Sequence, residues 1–164
     1  MTGPLILSTN RPGLLLRRLT PDDAFAVYEL VQKNRSHLTA HGDFAELVVA
    51  QTDALSEEFA LSPERHWRFG VLLEDVLIGR ADLVGVQPAK YSIGYWLSEA
   101  VIGRGLATFA VGRLLRFAFD EMRATDVFAG VSHGNERSAA LLLRLGFKSV
   151  ERFETYTRFH RQAG

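Results

Sequence analysis

The sequence holds 164 residues, carries a formal net charge of zero and contains no cysteine. Zero charge argues against a general electrostatic attraction to nucleic acid or to an acidic membrane. The missing thiols exclude disulfides, cysteine nucleophiles and cysteine-based zinc sites.

Apolar residues at 47% and charged residues at 23% suit a soluble globular protein, and the length suits one domain over 1–164. No apolar run approaches the roughly 18–20 residues that span a bilayer, and the opening stretch lacks the basic region and cleavage pattern of a signal peptide. The expected location is cytoplasmic. No repeat or low-complexity linker divides the chain.

Leu14–Leu19 reads as a first strand after the Arg11-Pro12-Gly13 turn. Thr20-Pro21-Asp22-Asp23 reads as a helix start, with Thr20 as cap, Pro21 at the first helical position and acids in the first turn. That helix is expected to reach Lys33 and to bury Ala24, Val27, Tyr28 and Val31. Asn34 to Phe44 is polar and irregular, and a second helix is expected from Gln51 to Ser62.

His66–Leu73 and Val76–Val86 flank Glu74-Asp75 and read as a hairpin, with Pro88 ending its second arm. Tyr91–Leu97 reads as the next strand. A short loop with Gly103 and Gly105 follows it, then a helix whose Ala110, Leu114, Phe117 and Ala118 recur at i, i+4, i+7 and i+8. Asp126–Val131 reads as a strand. Asn135 caps a helix that runs through Leu145 and stops at Gly146, and Phe147–Phe153 and Glu154–Phe159 close the chain as strands. The order is that of an α/β chain with a mixed sheet.

Strand, glycine loop and helix start make an anion site, because glycines admit close backbone approach and a helix N-terminus offers free N–H groups and a positive dipole end. Several nucleotide ligands fit that description. The P-loop and dinucleotide-binding glycine patterns are both absent from the chain.

Two segments narrow the choice. Gly94–Thr108, GYWLSEAVIGRGLAT, and Asn135-Glu136-Arg137-Ser138, followed by Leu141, Leu142, Leu145, Gly146 and Phe147, resemble the GNAT N-acetyltransferase superfamily, in particular its branch related to ribosomal-protein acetyltransferases. In the first, Gly105 and Ala107 match the family's pyrophosphate loop, while Ile102 stands where Gln or Arg is expected. The second resembles the family's Asn-x-x-Ser helix ending in Leu-Gly-Phe.

The resemblance implies a GNAT fold: a mixed, mostly antiparallel sheet of six or seven strands, splayed at the fourth and flanked by about four helices. It also implies transfer of an acetyl group from acetyl-CoA to a primary amine by direct attack in a ternary complex. The implied acceptor is a small-molecule amine such as an antibiotic or polyamine. The alternatives are the α-amine of a protein or a non-catalytic acyl-CoA-binding module, the latter prompted by Ile102 and Ser92.

For the cofactor, the resemblance implicates Ile102, Gly103, Arg104, Gly105, Leu106, Ala107 and Thr108 around the pyrophosphate. It implicates Tyr95, Trp96, Leu97, Asn135 and Ser138 along the pantetheine. Leu97 N–H is the implied oxyanion donor and Ser138 the implied proton or hydrogen-bond donor to the departing sulfur. The general base is the open position. Ser92 stands where relatives carry Glu, which leaves Glu46, His37, His41 and Asp43 as candidates. His37, His41, Asp43 and Phe44 are the expected acceptor wall. His37 and His41 lie four apart, but Gly42 weakens a helix there and no third ligand is evident, so no metal is expected. The protein is expected as a monomer or homodimer, with no nucleic-acid or membrane partner. The apolar run Ala139–Leu143 is expected to be covered, by the last strands in the favoured reading or else by a second subunit.

Overall fold

The computed structural model describes residues 3–61, 65–87 and 89–164. The expected helix end at Ser62 and strand stop at Pro88 lie outside them. Within the described residues eight strands form one sheet: β1 (Ile6–Ser8), β2 (Leu14–Arg18), β3 (His66–Leu73), β4 (Val76–Gln87), β5 (Lys90–Leu97), β6 (Asp126–Ser132), β7 (Lys148–Arg152) and β8 (Tyr156–Gln162). The order across the sheet is β1-β2-β3-β4-β5-β6-β8-β7. Every pair is antiparallel except β5–β6.

The sheet has one strand more than the upper expected count. β1 was not foreseen because three residues, only Leu7 of them buried, carry no readable alternation. It is held by its ladder to β2. The β3–β4 turn is as expected, with Glu74 and Asp75 both left-handed at φ 49° and 66°, the hairpin geometry that matches strand twist.

Among the described residues six α-helices flank the sheet: α1 (Ala24–Lys33), α2 (Arg35–Leu38), α3 (Ala45–Val49), α4 (Thr52–Ala60), α5 (Leu106–Arg116) and α6 (Glu136–Arg144). The segment expected to be irregular holds α2, and α3 follows directly. Both are too short for a 3.6-residue stripe to show. Asp23 accepts from the Thr20 N–H at 2.8 Å, which fixes the chain entering α1. Ala24, Val27 and Val31 are buried as expected, while Tyr28 is half-buried.

Two apolar layers result. On one face, Tyr91, Ile93 and Leu97 of β5 pack with Ala110, Leu114 and Phe117 above them and with Leu141 and Leu142 of α6. On the other, Trp96 of β5 joins Val27, Val31, Leu55 and Phe59 from α1 and α4. α6 corrects one expectation. Leu141 and Leu142 are buried, but Leu143 is 58% exposed and Ala140 is exposed, so one side of that helix faces out. Among the described residues no helix is long and apolar enough to cross a membrane.

Candidate active site

Parallel β5 and β6 pair over only three registers, Lys90↔Asp126, Tyr91↔Val127 and Ser92↔Phe128. β5 continues to Leu97 and β6 to Ser132 without further pairing between them, while β6 pairs with β8 along its other edge. The two strands part after Ser92, which is the splay expected at this strand. Along a strand, successive main-chain groups point to opposite edges. Ser98 N–H donates to Ile78 O of β4 at 2.7 Å, so the Leu97 N–H and C=O point the other way, into the gap. Leu97 O accepts there from His37 Nε2 at 3.2 Å.

The gap opens into a cavity of about 680 Å³. At one end stands the turn before α5, with Gly103 at φ +84° and Gly105 at φ +74°. A Cβ at either glycine would meet nothing within 4 Å, so positive φ and not crowding calls for glycine here. These conformations turn the chain so that the first-turn N–H groups of α5, which have no intrahelical acceptor, lie at the cavity where Leu106, Ala107 and Thr108 line it. Arg137 and Arg144, seven apart and so on one side of α6, also line it, and Arg144 donates to Thr108 Oγ1 at 3.3 Å. Main-chain donors, a helix dipole and two guanidinium groups suit a polyanion such as a diphosphate.

In the middle of the cavity, Tyr95 Oη and Ser138 Oγ share a 2.5 Å hydrogen bond. Burial pushes the Tyr95 phenol above its ordinary pKa, against the opposing pull of the Ser138 hydrogen bond, so Tyr95 keeps its proton at neutral pH. A phenol is the more acidic of the two hydroxyls. With Tyr95 donating, the Ser138 hydrogen is free for a third group. Asn135 Oδ1 accepts from the Ser138 N–H at 3.3 Å and sets the start of α6.

His37, His41, Asp43 and Phe44 form the far wall. A carbonyl only accepts, so the His37 nitrogen facing Leu97 O carries its hydrogen, and Nδ1 lies 3.7 Å from the Glu99 carboxylate. Asp43 accepts from Ser132 Oγ at 2.5 Å, tying this wall to the end of β6. Phe44 has φ 62°, a costly conformation for an aromatic residue.

Most of the residues expected from sequence thus meet around one cavity. Three do not. Arg104 is exposed and does not line it, because the left-handed turn at Gly103 and Gly105 carries its side chain outward; Arg137 and Arg144 supply the charge instead. Ser92 lies where β5 still pairs with β6, before the gap begins. Glu46, in the first turn of α3, lines a different cavity.

That second cavity, of about 610 Å³, shares Phe44, Tyr95 and Trp96 with the first. Its other lining includes Glu58 of α4, Arg80 and Asp82 of β4, and Gly94 of β5. Arg80 is only 6% exposed. It donates from Nε to Asp82 Oδ1 at 3.1 Å and pairs through Nη2 with Glu58, which also accepts from Arg68 at 3.0 Å. Burial pulls the Arg80 pKa down, but the ion pairs with Asp82 and Glu58 outweigh it. Asp82 itself is raised above its ordinary pKa by burial, which Arg80 opposes without cancelling. Sequence reasoning missed Arg80, Asp82 and Glu58. Arg and Asp at alternate positions of a strand read as its solvent face, and nothing local brings Glu58 to them. Among the described residues no group of three or more His, Cys, Asp or Glu could hold a metal ion.

A family model described as "Acetyltransferase (GNAT) domain" matches residues 13–148. The putative ribosomal N-acetyltransferase YdaF of Bacillus subtilis (strain 168) is 30% identical over 142 residues, covering 82% of this chain and 77% of that protein. Among solved structures, the RimL ribosomal L7/L12 alpha-N-protein acetyltransferase in complex with coenzyme A superposes with TM-score 0.84 at 16% identity, over 97% of this chain and 98% of that one. A spermidine N-acetyltransferase SpeG chimera from Vibrio cholerae and hSSAT gives 0.78 at 18% identity, over 92% and 95%.

Proposed function

This chain belongs to the GNAT acetyltransferase family, and on that premise we propose that it moves an acetyl group from acetyl-CoA to a small-molecule primary amine by direct attack in a ternary complex. The observation that carries the reading is the free main-chain edge of β5. An N–H at Leu97 points into a gap whose far end is a main-chain anion cradle. A long cofactor with a diphosphate at one end and a carbonyl at the other fits both ends at once.

Bound acetyl-CoA supplies the activated acetyl thioester. The α5 N-terminus and Arg144 would hold the diphosphate, and the unpaired edge of β5 would hold the amide-bearing arm by strand-like hydrogen bonds. Leu97 N–H would donate to the thioester carbonyl oxygen and stabilise negative charge there. His37, holding Leu97 O, fixes the orientation of that peptide group. Ser138, its own oxygen occupied by the Tyr95 hydroxyl, donates toward the leaving sulfur. Ile102 removes a polar side chain from the cradle but keeps its main-chain N–H, so the cradle keeps its principal donors.

A second reading, acetylation of a protein α-amine, draws support from YdaF, whose name is that of a putative ribosomal N-acetyltransferase. Thiol release from acetyl-CoA, followed with benzylamine, 1,4-diaminobutane and an Ala-Gly peptide, separates the readings, alongside the thermal shift on adding coenzyme A. Release with the small amines supports the first; release with the peptide alone supports the second. A shift without release from any amine leaves only a cofactor binder, and no shift overturns every coenzyme A reading.

A further inference from the structure

The attacking amine must lose a proton, because a free amine with a pKa near 10 is mostly ammonium at neutral pH. Three of the groups expected to take it are already engaged within the protein. Ser92 is inside the β5–β6 ladder, and a serine hydroxyl holds its own proton at neutral pH. The His37 nitrogen at Leu97 O already carries hydrogen. Asp43 is bonded to Ser132.

We propose that Asp82 is the proton acceptor for the incoming amine. The inference rests on the acetyl-transfer reading above. Asp82 stands directly across the β4–β5 ladder from Gly94, where a Cβ would meet nothing within 4 Å. The missing side chain leaves Asp82 open to the second cavity, whose lining includes Trp96 two residues along on the same face of β5. One Asp82 oxygen is held by Arg80 Nε, and the other has no partner among the described residues. The charged groups that face Asp82 are Arg80 from its own strand, Glu58 from α4 and Arg68 from β3, with Glu46 of α3 across the cavity. Glu58 is taken by the two arginines. Burial raises Asp82 above the ordinary aspartate pKa, the direction that favours taking up a proton.

Leu97 lies three residues beyond Gly94, about 10 Å along the strand, and on this proposal the amine and intervening water occupy that span. The step balances simply. One ammonium proton passes to the Asp82 carboxylate, and the neutral amine forms the C–N bond as the C–S bond breaks. Its second proton ends on the sulfur, and Asp82 returns its own to solvent.

The test is the pH dependence of kcat/KM for thiol release with the fastest of benzylamine, 1,4-diaminobutane and the Ala-Gly peptide. Wild type should reach a plateau near neutral pH. Asp82→Asn should fall roughly 100-fold at pH 7 and then climb about tenfold per pH unit, as bulk solvent supplies free amine in place of the base. The coenzyme A thermal shift of that variant should match wild type, which reports an intact fold. Asp82→Glu should restore the plateau, and it carries the test if the asparagine variant does not fold. An asparagine variant with a wild-type plateau overturns the assignment, as does a glutamate variant without one. A wild type silent with all three amines overturns the acetyl-transfer reading itself.

Discussion

The two cavities meet at Phe44, Tyr95 and Trp96, yet they are built from different material. The splayed one is largely main chain: a helix N-terminus, a left-handed turn and a strand edge left unpaired. The other is made of side chains, with Arg80 buried between Asp82 and Glu58. A main-chain site depends on where the backbone goes and tolerates changes of side chain that keep the path. A side-chain site depends on each charge having its partner, because a buried charge without one is costly. The first should therefore fail when the backbone is disturbed, and the second when a single partner is removed.

The largest effect should come from Gly105→Glu. A side chain at φ +74° strains the turn, and a carboxylate beside the cradle repels phosphate. Coenzyme A affinity by calorimetry should drop about 100-fold or more, equivalent to about 3 kcal/mol. Retained affinity would remove the phosphate-loop assignment. On the other side of the comparison, Glu58→Ala should cost stability instead. It strips one carboxylate from a guanidinium that is 6% exposed, while Asp82 stays in place. A loss of about 2 kcal/mol is expected, read as a melting temperature lower by about 4–8 °C for a chain of this size. An unchanged melting temperature would mean that Asp82 and solvent satisfy Arg80 by themselves.

The same division explains what the sequence disclosed. Gly103 and Gly105 before an amphipathic run, and Asn135 three residues before Ser138, are local signals, because a main-chain site writes its requirements into adjacent positions. The strands, the β3–β4 turn and the stripe on α5 were legible for the same reason. The Glu58–Arg80–Asp82 group was not, because α4 and β4 are far apart in sequence and meet only in the folded chain, and Gly94 gives no hint in sequence that it faces Asp82. Arg144 escaped notice because its approach to Thr108 depends on how α6 packs beside α5. The short elements β1, α2 and α3 lack the length for any periodicity to show.

Ser138→Ala tests the junction of the two regions. It leaves the cradle intact and removes the hydroxyl paired with Tyr95. Turnover should fall about tenfold, the worth of one hydrogen bond to developing charge, with the coenzyme A thermal shift preserved. Unchanged turnover would show that Ser138 serves only the start of α6.

The smallest effect is the most pointed for the main-chain argument. Ile102→Gln installs a polar side chain at the lip of the cradle, where the resemblance led one to expect Gln or Arg. Ile102 has φ −70° and ψ 157°, extended geometry that glutamine adopts without strain, and it is half-buried against the apolar core. The variant gives up part of that packing and gains one solvent-exposed hydrogen bond to a phosphate, two changes of similar size and opposite sign. Coenzyme A affinity should move by less than about threefold, under about 0.7 kcal/mol. A gain of tenfold or more would mean that side chains set the affinity of this cradle, and the contrast between the two cavities would fall.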